Sequence, residues 1–295
     1  MIALQAHAKI NLWLRVLARE AATGYHQIET AFCALRLSDD LAFENSGNGF
    51  ELIVEGADLG DPDHNLVTRA ARAFRDATRC ETPVRVRLTK NIPVGAGLGG
   101  GSSNAACTLI ALNRIHGWPL SASALHGLAC RLGADVPFFL SGAAMALAWG
   151  RGDRLLTVPA PAPATVVLIC PATPVSTAAA YEAVSRAAPS LPVAPVASDD
   201  LLSWDAIAGC THNDFERVVS RWIPDFARIR SAILDAGARF AHLAGSGSAV
   251  FGLFLEPPGP ALLDHLQALF PEAVTLQTQT RATTQRGVDP PPRRG

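Results

Sequence analysis

Lysine is nearly missing from this chain. Of its 25 basic residues only two, Lys9 and Lys90, are lysine, and the other 23 are arginine. Tyrosine is as scarce, with Tyr25 and Tyr181 alone. The six cysteines are scattered without a C-x-x-C pair, which argues against a disulfide framework or a zinc site and for buried free thiols in a reducing compartment. No excess of one charge sign is present: the formal net charge is −1, so nothing draws the whole molecule to nucleic acid or to an acidic membrane surface. The uncharged stretch Val136–Gly150 is too short to cross a bilayer and contains Pro137 and Gly142. No basic leader followed by an apolar run opens the sequence. Aromatics make up only 6%, but 49% apolar residues are far too many for disorder. These gaps predict a soluble, cytoplasmic protein whose 295 residues suffice for one large domain or two ordinary ones.

The segment from His7 to Val16 alternates with period two, Ile10, Leu12, Leu14 and Val16 facing one way and Lys9, Asn11, Trp13 and Arg15 the other. That pattern predicts a strand with one buried face. Gly24-Tyr25-His26 reads as a turn, with strands at 39–44, 50–55 and 84–90 and a helix at 66–79 capped by Asn65. Helices are expected at 105–116 and 125–132, and a buried strand at 143–149. Pro159, Pro161 and Pro163 mark a domain boundary near residue 158. Beyond it come a strand at 165–170, a helix at 177–186 and a Pro/Ala loop to about 197. Helices at 215–222 and 226–236 follow, then strands at 240–244 and 249–255 around Gly245-Ser246-Gly247-Ser248. The Pro- and Arg-rich tail, 283–295, is expected to be disordered. Strands and helices cluster without regular βαβ alternation, which favours an α+β chain in two domains, 1–158 and 159–282.

Between the strand at 84–90 and the helix after it lies Pro93-Val94-Gly95-Ala96-Gly97-Leu98-Gly99-Gly100-Gly101-Ser102-Ser103. Seven of the residues from Gly95 to Ser103 are glycine or serine. Glycines let backbone N–H groups converge on one point, and a helix start adds unpaired donors and a positive dipole end, so the segment suits phosphates. A flexible linker would not run unbroken into an apolar helix. Gly95, Gly97 and Gly100 meet the G-x-G-x-x-G spacing of dinucleotide folds, but the strand before them is half-exposed and no acid occurs at 115–120. A Gly-Lys-Ser/Thr ending is absent as well, so both familiar nucleotide folds fail.

The loop Gly97-Leu98-Gly99-Gly100-Gly101-Ser102-Ser103-Asn104-Ala105-Ala106 resembles that of the GHMP small-molecule kinases, which include galactokinase and the homoserine, mevalonate and phosphomevalonate kinases. Six further segments match one branch, the 4-diphosphocytidyl-2-C-methyl-D-erythritol kinases, in order and spacing: 8–12, 24–26, 65–66, 133–137, 175–178 and 213–216. The turn 245–248 matches too, so the resemblance spans about residues 5–255. Thr23 stands where that branch usually has Asp before Gly-Tyr-His, and the tail after 280 is additional.

The resemblance implies the two-domain GHMP kinase fold, an N-terminal ribosomal-protein-S5-domain-2-like domain and a C-terminal ferredoxin-like α/β plait with the active site in the cleft between them. It implies an ATP-dependent kinase that phosphorylates the 2-hydroxyl of 4-diphosphocytidyl-2-C-methyl-D-erythritol, with Mg2+ accompanying ATP near Ser102 or Ser103 and no dedicated metal site. Asp135 would be the base and Lys9 its ammonium partner; taken alone, Asp135 is as good a turn or cap residue and Lys9 an ordinary edge-strand lysine. Residues 93–103, Lys90 and Asn65 would serve ATP, although Asn65 is also a fitting helix cap. Asn11, Tyr25, His26, Thr177 and Tyr181 would hold the substrate, the two tyrosines offering flat faces to a pyrimidine. On this reading the two rare residue types fall where chemistry needs them, and compositional drift explains less. Partners would be small molecules only, with the chain acting as a monomer or homodimer. Two other readings remain: a relative acting on homoserine or a mevalonate derivative, and a catalytically silent sugar or nucleotide sensor, which should have lost Lys9 or Asp135.

Overall fold

The computed structural model describes residues 1–47, 49–81, 83–187, 196–223 and 225–283. Its first half is built on a long antiparallel pair, β1 (Ile2–Arg19) and β2 (His26–Asn45). Next come β3 (Phe50–Glu55), α1 (Leu66–Thr78) and β4 (Val84–Thr89), then α2 (Gly100–Ile115), α3 (Ala122–Leu132) and α4 (Val136–Ser141). The hairpin of β5 (Met145–Gly150) and β6 (Arg154–Val158) ends this half. In the sheet, β4 lies between β3 and β2, β1 lies on the other side of β2, and β5 joins the first half of β2.

The second half contains β7 (Thr165–Pro171), α5 (Thr177–Arg186), α6 (Trp204–Ala208), β8 (His212–Asn213), α7 (Glu216–Val219) and α8 (Phe226–Asp235). It continues with β9 (Phe240–Leu243), β10 (Val250–Phe254), α9 (Ala261–Leu269) and β11 (Ala273–Gln279). Its sheet is antiparallel in the order β11-β7-β10-β9, the strand order of a ferredoxin-like plait. The short β8 instead joins the first sheet, parallel to β1.

The expectation of one buried face on the first strand does not hold. β1 is flanked by β2 and β8, and Lys9, Asn11 and Trp13 are only 3%, 2% and 2% exposed. Register shifts between His7 and Lys9 and between Asn11 and Trp13 also break the strict alternation. Ile10 and Leu12 pack against Val166, Leu168 and Phe251 of the second sheet, so the two halves share a core. Lys9 and Asn11 are left facing a cavity. Behind it, α1 and α2 bury Val67, Phe74, Ala105 and Leu109 over Val86 and Leu88, each large apolar side chain contributing about 1.5–3 kcal/mol.

Other boundaries moved. The helix expected at 105 begins at Gly100, inside the glycine run, and the one expected at 215–222 is only the four-residue α7. The segments α4, β6, α6, α9 and β11 were not expected at all. Residues 188–195 of the Pro/Ala loop, and the tail from 284 on, lie outside the described residues.

Candidate active site

Loop 93–99 crosses from β4 to α2 and is tied to both halves of the molecule. The amide of Lys9 donates to the Leu98 carbonyl at 3.0 Å, and that of Ala249 to the Ala96 carbonyl at 3.2 Å. Gly95, Gly97 and Gly99 all have positive φ, at 71°, 80° and 74°. At Gly97 glycine is also a steric need: a Cβ there would collide with the Ala244 carbonyl and come within 3.0 Å of that of Gly247. The two glycine turns, 95–99 and 245–248, therefore lie backbone against backbone, beside the amino end of α2. The first turn of α2 carries no acidic residue, so its free N–H groups and positive dipole end are uncompensated.

Against this loop stands the pair that the sequence singled out. Lys9 Nζ lies 3.4 Å from Asp135 Oδ2 and donates to Asn11 Oδ1 at 2.7 Å. Asn11 Nδ2 donates to Thr30 Oγ1 at 2.8 Å, and Thr30 donates to the Trp13 carbonyl at 2.6 Å. This buried chain fixes the lysine from behind, and the Phe32 ring lies 5.5 Å from its ammonium. Lys9 is on a central strand, which disposes of the edge-strand reading. Asp135 occupies the cap position of α4, yet its side chain makes no capping hydrogen bond. Its carboxylate, 29% exposed, faces a cavity of about 300 Å³ that Asn11, Ser102 and Ser246 also line.

That cavity shares Ala134, Thr177 and Tyr181 with a larger one of about 810 Å³, where Tyr25 and His26 lie. Thr177 begins α5, and its hydroxyl is 3.0 Å from that of Ser246. Tyr181, one turn further on, stacks on His26 with ring centroids 5.2 Å apart and meets Phe215 edge-on. Burial, and then the charge of Asp135, push its phenol above the usual tyrosine range. His26 Nε2 is hydrogen-bonded to the Ser185 hydroxyl, and burial, with Arg19 behind it, holds the imidazole below its usual value. Tyr25 is 59% exposed, with the Arg151 guanidinium 4.3 Å above its ring.

Three residues expected at the nucleotide also make structural contacts of their own. Lys90 is paired with the fully buried Asp39, which also accepts from the amides of Asn91 and Ile92 and from Asn104 Nδ2. It braces the base of the loop from behind, because Asp39 on β2 is directly beneath it. Asn65 caps α1, accepting from the Val67 amide at 2.9 Å. Ser103 is 2% exposed and faces a different cavity, whereas Ser102 lines the one with Asp135.

Sequence reasoning missed Thr30, Phe32, Asp39 and Arg151, none of which carries a local motif. It registered 213–216 without giving those residues a task. Asn213 Nδ2 donates to the Leu243 and Gly245 carbonyls at 2.8 and 2.9 Å, Glu216 takes the Leu243 amide, and Asp214 takes the Val16 amide. The segment thus holds the second glycine turn against β1. Among the described residues no group of three or more His, Cys, Asp or Glu could hold a metal ion.

Comparison with known proteins gives concordant matches. The sequence profile "GHMP kinases N terminal domain" matches residues 65–143, and "GHMP kinases C terminal" matches residues 198–272. The 4-diphosphocytidyl-2-C-methyl-D-erythritol kinase of Chloroherpeton thalassium is 36% identical over 276 residues, covering 92% of this chain and 96% of that protein. The protein of the same name from Pelotomaculum thermopropionicum is 43% identical over 258 residues, covering 86% of this chain and 89% of that one. A crystal structure of 4-(cytidine 5'-diphospho)-2C-methyl-D-erythritol kinase superposes with a TM-score of 0.75 at 34% identity, covering 95% of this chain and all (100%) of that one. The homoserine kinase of Cytophaga hutchinsonii, at 20% identity and a TM-score of 0.69, shares the fold; it covers 96% of each chain.

Proposed function

The chain belongs to the GHMP kinases, and within them to the 4-diphosphocytidyl-2-C-methyl-D-erythritol kinases; from that premise we propose that it transfers the γ-phosphoryl group of ATP to the 2-hydroxyl of 4-diphosphocytidyl-2-C-methyl-D-erythritol, in the non-mevalonate route to isoprenoids. The observation that carries this reading is the Lys9–Asp135 pair, set between a glycine loop at a helix start and a cavity with an aromatic far end.

In-line transfer to an alcohol needs the nucleophile oriented, charge on the moving phosphoryl group neutralised and a place for the hydroxyl proton. Asp135 accepts that proton: its carboxylate faces the cavity and makes no capping bond. The Lys9 ammonium, 3.4 Å from Asp135, attracts charge developing on the attacking oxygen. Asn11, fixed between Lys9 and Thr30, orients the acceptor. Backbone amides of loop 93–103 and the first turn of α2 take the ATP phosphates, with Lys90 holding the base of the loop and Asn65 the start of α1. Tyr25 and Tyr181 flank the cytosine, His26 reads its edge, and Thr177 stands between the two ends.

Magnesium fits as an ion carried by ATP. No cluster of protein ligands declares a separate site among the described residues, and Ser102 at the start of α2 is one of the side chains that line the cavity beside the loop. When bound, the ion would neutralise phosphate charge. We further propose that the chain divides near residue 158 and works in the cytoplasm on small molecules, as a monomer or homodimer. Among the described residues all six cysteines are free and no helix is long and apolar enough to cross a membrane.

Coupled ADP release with the cytidyl acceptor, homoserine and mevalonate tests the reading. Turnover confined to the cytidyl acceptor is expected. Preference for homoserine or mevalonate would overturn the substrate, and no turnover of any would leave a binding protein on a kinase fold.

A further inference from the structure

The larger cavity is strongly basic. Five guanidiniums line it, Arg19, Arg69, Arg131, Arg151 and Arg186, against the carboxylates of Asp153 and Glu182. Three of the five are engaged. Arg151 bonds Glu20 at 3.1 Å and covers Tyr25, Arg186 bonds Glu182 at 2.5 Å, and Arg19 donates to the Gly24 carbonyl at 3.0 Å. Asp153 is itself occupied by the Arg151 amide at 3.1 Å. The other two arginines have no carboxylate partner among the described residues. Arg131 reaches only the Gly127 carbonyl, at 3.2 Å, within its own helix. Arg69 lines the same cavity from α1.

Position makes this pair informative. Arg69 is on α1 and Arg131 on α3, and they share the cavity with Leu132, Gly133 and Ala134, the residues that lead to Asp135. A ligand reaching from Tyr25 and His26 to Lys9 must pass Ala134, Thr177 and Tyr181, which the two cavities share. Such a ligand would cross the cavity that Arg69 and Arg131 line. Arginine's planar fork suits a phosphate with paired hydrogen bonds, and the two carboxylates that line the cavity, Asp153 and Glu182, bond to Arg151 and Arg186 instead. The glycine loop lines the smaller cavity and not this one, so the ATP phosphates have their own donors.

We propose that Arg69 and Arg131 clamp the diphosphate bridge of the acceptor and so select a diphosphate-linked substrate over a neutral or singly phosphorylated polyol. This inference rests on the functional reading above and adds the residues that recognise the anionic middle of the substrate.

The test uses Arg69→Gln, Arg131→Gln, the double variant and Arg131→Lys in the full chain. The readouts are KM for the cytidyl acceptor and for ATP, and calorimetric affinities for CDP and for cytidine. Each Gln variant is expected to raise the acceptor KM at least tenfold and to weaken CDP by a similar factor. Cytidine affinity and the ATP KM should stay within twofold and kcat within threefold, with Arg131→Lys in between. An unchanged acceptor KM and CDP affinity in the double variant would overturn the clamp while leaving the kinase reading intact. A raised ATP KM with unchanged CDP affinity would overturn it by assigning the pair to the nucleotide. A wild-type chain that neither binds CDP nor turns over the cytidyl acceptor would remove the functional reading and the clamp together.

Discussion

Lys9 and Lys90 each face an aspartate, and the two pairs differ in what the carboxylate has left to offer. Asp39 is fully buried and takes four donors: Lys90, the Asn91 and Ile92 amides, and Asn104. Asp135 stands at 3.4 Å from Lys9, makes no capping bond and keeps 29% of its side chain open to the cavity. Both lysines are almost wholly buried, so burial does not separate them. Saturation does. A carboxylate with every lone pair taken holds a fold together, and one with capacity to spare can take a proton from a substrate.

Breaking the saturated pair should produce the largest effect. Asp39→Asn leaves Lys90 buried without its counter-charge and should cost about 3–5 kcal/mol of stability in urea unfolding. A loss under about 1 kcal/mol would mean that the brace is unimportant. Breaking the open pair should act on rate instead. Lys9→Arg keeps the charge but puts a rigid planar fork where Asn11 and Asp135 expect a compact ammonium, and kcat should fall at least about 100-fold, or about 2.7 kcal/mol in the barrier. A kcat within threefold of wild type, in a chain of normal stability, would return Lys9 to a structural role.

A third variant joins the two regions. A Cβ at Gly99 would lie 2.8 Å from Phe139 Cζ and 3.1 Å from Lys9 Cγ, on a backbone with φ of 74°. Gly99→Val should therefore disturb the glycine loop and Lys9 together, raising the ATP KM about tenfold, or about 1.4 kcal/mol. Unchanged nucleotide affinity in the folded variant would take the loop out of the site.

The smallest effect belongs to the larger cavity, where His26 lies. Burial, and then Arg19, hold His26 below its usual 6.5. Between the lowered folded value and the unfolded one, the unfolded chain binds more protons. The His26 contribution is therefore fully present above about pH 6.5 and is lost as pH falls through the folded value. Thermal unfolding from pH 7.5 to 5 should show a slightly steeper acid loss in wild type than in His26→Gln. Identical slopes would remove the histidine from the acid response.

Much of this contrast was legible in the chain. Lys9 and Asp135 stood out by rarity and motif, and the glycine loop by its composition and by the apolar helix into which it runs. The role of Lys90 was not legible, because Asp39 is 51 residues away on a strand with no motif of its own. The first half of β2 escaped notice because Thr30 to Leu35 is buried continuously, which erases the period of two that marks a half-exposed strand. The six-residue α4 holds Pro137 in its first turn, so its sequence reads as a turn. On β1 the alternation gave the strand but not the second buried face, which depends on where β8 and α5 come to rest.

The most direct test is Asp135→Asn, with kcat, the ATP KM and unfolding free energy measured on one preparation. The amide keeps the shape and removes the proposed proton acceptor. Turnover should fall about 1,000-fold or more, within the range for a lost general base, with the ATP KM changed no more than a few-fold. Stability should stay within about 0.5 kcal/mol of wild type. A variant that keeps most of its kcat, or one that loses stability on the scale expected for Asp39→Asn, would show that Asp135 braces the fold as Asp39 does and that the proton goes elsewhere.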